Sequence, residues 1–221
     1  MNSCLICAAS IHSKPKFHQM FLLKKEGYGL CQDCKSSFEM ISDLHCPSCY
    51  KEGEEKVCQD CCYWQERGQS VAHQSLYRYN VAMKDFFSRY KFQGDYLLRH
   101  AFAHELKETL DSYKGYALVP LPVSQERFQK RGFNQVTGLL EATGLPYQEL
   151  LQKAETATQS SKNRVERLQT EQSFALIEDK QLPEKILLVD DIYTTGATLQ
   201  LASCLLFENG VKEIRTFSLV R

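Results

Sequence analysis

A thirteen-residue stretch, residues 186–198, constrains the fold of this chain more than any other feature. It opens with four consecutive aliphatic residues, Ile186–Val189, and such a run is typical of a strand buried on both faces of a parallel sheet. Asp190 and Asp191 follow where that strand should end, and apolar residues then recur at helical spacing. The pattern predicts an α/β fold in which this strand is central.

A turn rich in small residues and hydroxyls joins the predicted strand to the predicted helix. Its members are Thr194, Thr195, Gly196, Ala197 and Thr198. A strand–turn–helix connection points free backbone N–H groups at an anion. Gly196 lets the backbone approach closely, and the threonine hydroxyls add hydrogen-bond donors. We therefore predict that these residues bind phosphate.

The two carboxylates narrow the class of ligand. A loop that only held polyphosphate would follow its strand with glycine and lysine. Asp190 and Asp191 instead predict a ligand with hydroxyls or a cation beside the strand and phosphate beyond it, as in ribose 5-phosphate. The segment resembles the phosphoribosyl-pyrophosphate (PRPP) motif of type I phosphoribosyltransferases. The other interpretation is an ordinary strand–loop–helix with an exposed aspartate pair.

Nine of the ten cysteines lie within residues 1–62, and eight of them form four C-x-x-C pairs. Thiolates at this spacing in a reducing compartment are zinc ligands more often than disulfides, and a segment with so few apolar residues needs metal to fold. Two closed, structural Zn²⁺ sites follow, with pairs joined sequentially or, alternatively, in a cross-braced arrangement. The pairs are Cys4/Cys7, Cys31/Cys34, Cys46/Cys49 and Cys58/Cys61.

Other residues of the cysteine-rich segment offer alternatives. Cys62 is left over, and the alternative metal ligands are His12, His18 and His45. Between Cys7 and Cys31, basic and aromatic residues interleave in a pattern that suits single-stranded nucleic acid. The other interpretation is a solvated loop whose aromatics pack on the rest of the chain. These residues are Lys14, Lys16, Phe17, Phe21, Lys24, Lys25 and Tyr28.

Length and charge bound the organisation of the chain. Its 221 residues suit one medium domain and a small module. We predict a double zinc-ribbon module at 1–64, a polar linker at 65–74 and an α/β domain at 75–221. Lys and Arg (27) balance Asp and Glu (27), so bulk charge does not mark a nucleic-acid binder. No apolar run is long enough for a membrane span, and no apolar signal region is present. A cytoplasmic location is therefore expected.

Within the α/β domain, apolar periodicity and helix stops set the expected elements. Ligands in such folds sit past the carboxyl ends of strands, so the loop at 121–124, with Val123 and Ser124, should face the same crevice as Asp190. Strands are predicted at 75–80, 116–120 and 211–220, and helices at 81–92 and 95–112.

Two polar stretches adjoin the predicted crevice. Arg127, Lys130 and Arg131 cluster after the loop, where they would suit pyrophosphate; a solvated basic face is the alternative. Residues 153–172 are polar without apolar period, which favours a mobile lid over the ligand. Its arginines, Arg164 and Arg167, would close on phosphate.

Taken together, these features resemble the ComF family of competence proteins over nearly the whole chain. The resemblance is carried by the C-x-x-C pairs, the 190–198 motif and Arg131–Gln135, which reads Arg-Gly-Phe-Asn-Gln. It implies a type I phosphoribosyltransferase fold behind a double zinc ribbon, and a role in internalising single-stranded DNA during natural transformation. Implied partners are PRPP, a ComFA-like DNA translocase and single-stranded DNA. In the lid, Lys162 and Thr170 depart from the family's leucine and asparagine, so lid closure is where this chain differs.

As a phosphoribosyl site, the aspartates would hold ribose hydroxyls, directly or through Mg²⁺ carried by pyrophosphate. Residues 194–198 would hold the 5-phosphate, and Val123, Ser124, Arg127 and Arg131 would hold pyrophosphate. The alternative function is an active phosphoribosyltransferase acting on a nucleobase or a related acceptor. Its catalytic task would be to stabilise an oxocarbenium-like ribose and a departing polyanion.

Overall fold

The computed structural model describes residues 2–11, 28–153 and 173–221, and a four-stranded parallel sheet is the largest sheet within them. The strands are β1 (Asn2–Ser3), β2 (Ser10–Ile11), β3 (His73–Tyr77), β4 (Ala117–Pro120), β5 (Leu151–Lys153), β6 (Phe174–Leu176), β7 (Lys185–Ile192) and β8 (Glu213–Val220). The helices are α1 (Gln32–Ser36), α2 (Gln59–Gln65), α3 (Val81–Phe92), a 3₁₀ helix (Tyr96–His100), α4 (Ala103–Asp111), α5 (Gln125–Arg131), α6 (Gln135–Thr143) and α7 (Ala197–Glu208).

The predicted central strand is β7. The strand order of the sheet is β3–β8–β7–β4, and β7 runs parallel to both of its neighbours. Ile186, Leu187 and Leu188 each have 0% exposed surface, because alternate side chains of a strand point into opposite layers. The parallel sheet, its flanking helices and the cysteine groups described below confirm the predicted fold class.

One face of the sheet is covered by a layer rich in aromatic side chains. Leu187 and Val189 enter this layer from β7, and α3, α4 and α6 pack over them. The Phe86 and Phe102 rings lie 5.0 Å apart near its centre, in an edge-on arrangement. Side chains of this size bury the most apolar surface per residue, so three short helices suffice to close this face.

The opposite face is covered by α7 together with part of the cysteine-rich segment. Ile186 and Leu188 from β7 and Leu199 from α7 share a core with four buried cysteines and with Trp64. Those cysteines are Cys46, Cys49, Cys58 and Cys61. The second pair of C-x-x-C motifs therefore packs directly on the sheet. The division into 1–64, 65–74 and 75–221 stays a prediction.

The predicted helix at 95–112 is wrong as a single helix. A 3₁₀ helix (Tyr96–His100) and α4 (Ala103–Asp111) replace it. Phe102 lies at the break with non-helical angles, φ −117° and ψ 16°, and its ring packs edge-on against Phe38 at 4.9 Å between centroids. This tertiary contact overrides the local helical preference.

The three strands predicted besides β7 have shifted bounds, and the one predicted at 116–120 is β4, which begins at Ala117. The edge strand predicted at 75–80 is β3, which starts at His73 and ends at Tyr77. Asn80 leaves the strand because its side-chain oxygen caps α3, accepting from the backbone N–H of Met83 at 3.0 Å. The last strand, predicted from residue 211, begins at Glu213.

The remaining predictions about chain organisation concern the lid and the membrane. Lys153 ends β5, which pairs antiparallel with β6, and the rest of the predicted lid lies outside the described residues. In the described parts of the chain, no helix combines the length and the apolar sequence needed to cross a bilayer.

A substitution at Gly138 tests how closely α6 packs against α3. A Cβ at this position would lie 2.5 Å from the Tyr90 hydroxyl oxygen and 3.0 Å from Cε2 of Tyr96. Overpacking costs about 1–3 kcal/mol, and alanine regains about 1 kcal/mol of helix propensity. We expect Gly138→Ala to lower the free energy of unfolding in urea by about 1–2 kcal/mol, because the Tyr90 hydroxyl is hydrogen-bonded to the Gln135 carbonyl and cannot move aside without losing that bond. Gly29→Ala is the matched control, since the nearest atom there is 3.9 Å away. Equal stability of the two variants would contradict the tight contact.

Candidate phosphoribosyl crevice and metal groups

The acid pair lies at the carboxyl end of β7, as predicted. Asp191 is 5% exposed, whereas Asp190 is half-buried. The backbone N–H of Asp191 donates to Oδ1 of Asp190 at 2.8 Å. This bond fixes the orientation of the first carboxylate relative to the second.

Lys91 is the functional candidate that the sequence did not identify. It lies in the last turn of α3, and its ammonium forms an ion pair with Oδ2 of Asp191 in a largely buried setting. The same ammonium lies 4.6 Å from the Phe87 ring centroid. A buried carboxylate needs such a partner. In the sequence Lys91 is a basic residue near the end of a predicted helix, and no local pattern pairs it with Asp191.

The electrostatic setting of the crevice is unusual at two residues. Burial, with the Asp191 charge beside it, raises the pKa of Asp190 from an ordinary 3.8 to about 7. The pKa of Lys153 is lowered to about 8, chiefly by burial, with the Asp190 charge opposing this shift and the Arg127 charge adding to it. Lys153 donates to the Ser173 hydroxyl at 3.1 Å. The ammonium of Lys153, at the end of β5, is therefore within electrostatic range of Asp190.

The turn that follows β7, residues 193–196, is termed the phosphate loop. It leads into α7, whose N-cap is Gly196 with φ 81°. A side chain at this position would overlap the Tyr193 phenol, so glycine is required for both reasons. The Thr195 hydroxyl accepts from the backbone N–H of Ala197 at 3.4 Å. Thr194 and Thr198 are exposed, which leaves their hydroxyls accessible at the start of α7.

The loop at 121–124 begins beside the acid pair. The backbone N–H of Leu121 donates to the Val189 carbonyl at 2.9 Å, and the Asn134 amide donates to the Leu121 carbonyl at 3.1 Å. Val123 is half-buried, and the Ser124 hydroxyl caps α5. Parallel pairing of β4 with β7 thus brings this loop to the strand end that carries the aspartates.

The three cations of α5 separate into two groups. Arg131 is half-buried, donates to the side-chain oxygen of Gln135 at 2.8 Å and lies 5.4 Å from the Phe92 ring centroid. Burial and Arg127 lower the pKa of Arg131, and the Asp191 charge opposes them. Arg127 and Lys130 are exposed. Arg131 therefore lies in the crevice wall, whereas Lys130 fits the solvated-face alternative.

In the part of the chain that the structure describes, two groups of four thiols could each hold a metal ion. The Cys4 group comprises Cys4, Cys7, Cys31 and Cys34, and the Cys46 group comprises Cys46, Cys49, Cys58 and Cys61. This grouping is the sequential pairing, and the cross-braced alternative is wrong. The groups differ in burial, since all four members of the Cys46 group are buried and the Cys4 group is partly exposed.

The spacing of the sulfurs fits a tetrahedral ion. Within each group the Sγ atoms lie within 4.8 Å of one another. The Cys7–Cys31 distance is 3.7 Å, Cys46–Cys61 is 3.9 Å and Cys49–Cys58 is 3.5 Å. Tetrahedral Zn²⁺ with Zn–S bonds of about 2.3 Å requires sulfurs about 3.8 Å apart. Both groups therefore have the ligand type, number and spacing of a structural zinc site.

Several predicted candidates lie outside these sites. Cys62 is exposed and separate from the Cys46 group. His45 stacks on Tyr50 at 4.0 Å between ring centroids and ligates in neither group. Tyr28 stacks on His100 at 4.9 Å, as expected if the aromatics of this segment pack on the rest of the chain. Outside the described residues lie His12, His18, Lys14, Lys16, Phe17, Phe21, Lys24, Lys25, Arg164 and Arg167.

Comparison with known proteins relates the whole chain to competence proteins. It is 50% identical over 218 residues to Competence protein ComFC of Streptococcus pneumoniae, covering 99% of both chains. It is 34% identical to Competence protein ComFC of Bacillus subtilis, covering 99% of this chain and 94% of the relative. Identity to Competence protein F of Haemophilus influenzae is 26%, covering 99% and 96%. No family model matches the chain.

Among solved structures, similarity is found to a hypoxanthine phosphoribosyltransferase from Staphylococcus aureus. The TM-score is 0.33 and the sequence identity 19%, over 56% of this chain and 63% of that chain.

Metal analysis of the purified full-length protein tests the two thiol groups. We expect about two zinc ions per chain, because four thiolates complete each tetrahedral site. Cys7→Ser and Cys46→Ser should each lose about one ion. Cys62→Ser is the matched control and should retain both. Finding no zinc in the wild-type protein, or a loss on replacing Cys62, would contradict the assignment.

The raised pKa of Asp190 predicts a pH dependence of stability. Between its ordinary pKa of 3.8 and about 7, the native state binds a proton that the unfolded state releases, so stability falls as pH rises through that window. Asp190→Asn mimics the protonated form. We expect it to match the wild type near the acidic end and to exceed it at pH 8 by on the order of 1–3 kcal/mol.

Urea unfolding of both proteins at a series of pH values measures this difference in the free energy of unfolding. The pH dependence of metal binding is the same in both proteins and cancels from the difference. Asp85→Asn, at an exposed position of α3, is the control and should follow the wild type. A difference between Asp190→Asn and the wild type that stays constant with pH would show that Asp190 titrates normally.

Proposed function

Because the chain belongs to the ComFC family of competence proteins, we propose that it acts in DNA uptake during natural transformation. The step is the internalisation of single-stranded DNA, and the α/β domain binds PRPP or a related phosphoribosyl ligand there. One observation carries the ligand assignment: two carboxylates end the central strand, and the N-terminus of a twelve-residue helix follows them across the phosphate loop. Few ligands other than a sugar phosphate require both features at that spacing.

In this proposal the acid pair binds the ribose. Asp190 and Asp191 accept from the ribose hydroxyls or hold Mg²⁺ that arrives with pyrophosphate, since hard cations prefer carboxylate oxygens. The pairing of Lys91 with Asp191 supports a role for this lysine as the resident counter-charge. When a hydroxyl or a cation approaches Asp191, Lys91 has to share or yield the carboxylate, so it tunes affinity for the ribose.

The phosphate loop and α7 bind the 5-phosphate. Free N–H groups at a helix N-terminus and its positive dipole end favour a phosphate. The exposed Thr194 and Thr198 add hydroxyl donors. Thr195 and Gly196 contribute backbone N–H groups, and Ala197 contributes its own by exchanging the Thr195 hydroxyl for the phosphate. The absence of a side chain at Gly196 allows close approach.

Pyrophosphate lies on the other side of the acid pair. The loop carrying Val123 and Ser124 begins beside β7, and the half-buried Arg131 supplies a fixed positive charge. Arg127 is exposed on the same helix and is free to reorient. Guanidinium groups bind phosphate oxygens in a bidentate manner, which suits the leaving end of PRPP.

Single-stranded DNA and a ComFA-like DNA translocase are the proposed partners, on the strength of the family. The metal groups, proposed to hold Zn²⁺, add support because a crevice for a small ligand has no need of a cysteine-rich segment of this length. The net charge of zero argues that DNA contact is local rather than driven by bulk electrostatics.

Turnover of PRPP onto a nucleobase or a related acceptor is the alternative function. It is favoured by the combination of an acid pair, the N-terminus of α7 and the half-buried Arg131. Such fixed charges would stabilise a cationic ribose and a departing polyanion without a protein nucleophile. Release of pyrophosphate on mixing the protein with PRPP, Mg²⁺ and individual nucleobases would demonstrate this activity.

Calorimetric titration with PRPP and Mg²⁺ tests the ligand assignment. The double variant Asp190→Asn/Asp191→Asn keeps side-chain volume and removes both charges, so we expect binding to weaken at least about a hundredfold, two charge-assisted contacts being lost. Asp85→Asn should bind as the wild type does. Unchanged affinity in the double variant, or no wild-type binding at millimolar PRPP, would refute the assignment.

The role in DNA uptake is tested in a transformable strain that lacks its own relative of this protein. Transformation frequency should recover with the wild-type chain and with Asp85→Asn. Recovery with the double aspartate variant as well would mean that the crevice is not needed for DNA uptake.

A further inference from the structure

Besides the backbone bond from Tyr193 to Val220 of β8, the phosphate loop is contacted by residues that connect to the Cys46 group. Nε1 of Trp64 donates to the carbonyl oxygen of Thr195 at 2.9 Å. Trp64 lies on α2, which starts directly after Cys58 and also carries Cys61. At 5% exposure, the indole forms this bond away from water, where a lost bond leaves a buried carbonyl unsatisfied.

Thr194, the residue before Thr195, is contacted by Arg221. The Arg221 guanidinium donates to the Thr194 carbonyl at 3.4 Å and lies 4.4 Å from the Tyr193 ring centroid. Asp60, also on α2, lies 4.0 Å from the same guanidinium. The α2 helix therefore contacts the loop directly through Trp64 and indirectly through an arginine.

Tyr193, the first residue of the loop, connects through His73 to the turn between Cys46 and Cys49. Tyr193 packs on His73 with 4.1 Å between ring centroids. The backbone N–H of His73 donates to the carbonyl of Ser48 at 2.9 Å, and Ser48 lies in the turn between Cys46 and Cys49. Three consecutive loop residues thus connect to the two cysteine turns by separate routes.

We propose that the Cys46 group fixes the conformation of the phosphate loop, a role termed the brace. Trp64 is the positioning residue through which the Cys46 group acts on the loop. A metal ion on the four thiols would fix the turn at Ser48 and the start of α2 relative to each other. Those two points in turn fix Tyr193 and Thr195. Loss of metal would free both points, so metal occupancy and loop conformation are coupled.

The Cys4 group provides an internal comparison, because its contacts lead elsewhere. Its first turn accepts from Arg89 of α3, through the carbonyls of Leu5 at 3.1 Å and Ile6 at 2.9 Å. These bonds reach the helix that carries Lys91 and do not involve the phosphate loop. Loss of the Cys46 group should therefore loosen the phosphate loop, whereas loss of the Cys4 group should not.

Hydrogen exchange of the zinc-loaded full-length protein tests the brace without any ligand. We expect Trp64→Phe to keep both zinc ions and to speed exchange in the peptide covering residues 193–200 by about fivefold to tenfold, since about one buried hydrogen bond is lost. Tyr63→Phe is the matched control: its ring touches Trp64 edge-on at 5.1 Å, and the indole bond stays intact. Equal exchange in the two variants would overturn the proposal.

The cysteine variants supply a second, independent comparison. Cys46→Ser should lose about one zinc ion and speed exchange in residues 193–200, whereas Cys7→Ser should lose one ion and leave that peptide at the wild-type rate. Equal acceleration by both would show global loosening and overturn the local brace. If Cys46→Ser does not fold, Trp64→Phe alone decides.

Affinity for ribose 5-phosphate extends the test to the ligand, and this arm rests on the proposed function. Trp64→Phe should weaken binding about fivefold to tenfold relative to Tyr63→Phe. Wild-type protein that fails to bind ribose 5-phosphate would refute the proposed function and leave the exchange result standing. Binding with unchanged affinity in Trp64→Phe would overturn the proposed role of Trp64.

Discussion

The structure depends on covering β7 on both of its faces. Ile186 and Leu188 point to one side and Leu187 and Val189 to the other, so two separate apolar layers must be assembled around one strand. Helices of the α/β domain complete the first layer. The second includes the buried thiols of the Cys46 group and Trp64, and a divalent metal ion would offset part of the cost of burying four thiolates there. Metal binding and completion of the core are then a single event.

Function follows from where β7 ends. Buried aspartates at that point are costly, and Lys91 offsets the cost at Asp191 while Asp190 responds by a raised pKa. Parallel pairing with β4 brings the loop at 121–124 alongside. The crevice thus combines adjacent acids, a helix N-terminus and an arginine. The acids and the helix N-terminus belong to β7 and α7, which are packed in the core, whereas Arg131 lies at the end of α5, which buries none of its residues, and is held by Gln135. Rigid elements hold charges in place better than loops do.

Both cysteine groups are connected to this crevice. The Cys46 group contacts the phosphate loop through Trp64, and the Cys4 group contacts α3 through Arg89. A tethered and independent module would make neither contact. The arrangement also gives a physical reason for keeping metal sites next to a ligand site in one chain: a small core gains rigidity from a closed tetrahedral site more cheaply than from added apolar residues.

The sequence by itself determined the features that depend on local pattern: β7 and its acids, the glycine of the phosphate loop, and the four cysteine pairs, whose sequential grouping only the structure decided. Periodicity, backbone sterics and ligand spacing act over a few residues and can be read from them. Tertiary structure alone decided the break at Phe102, the burial of the Cys46 group against the sheet, and the approach of Lys91 and Trp64 to the crevice. These features join residues far apart in the chain, such as Phe38 with Phe102, Lys91 with Asp191 and Trp64 with Thr195, and no local pattern records which distant surfaces pack together.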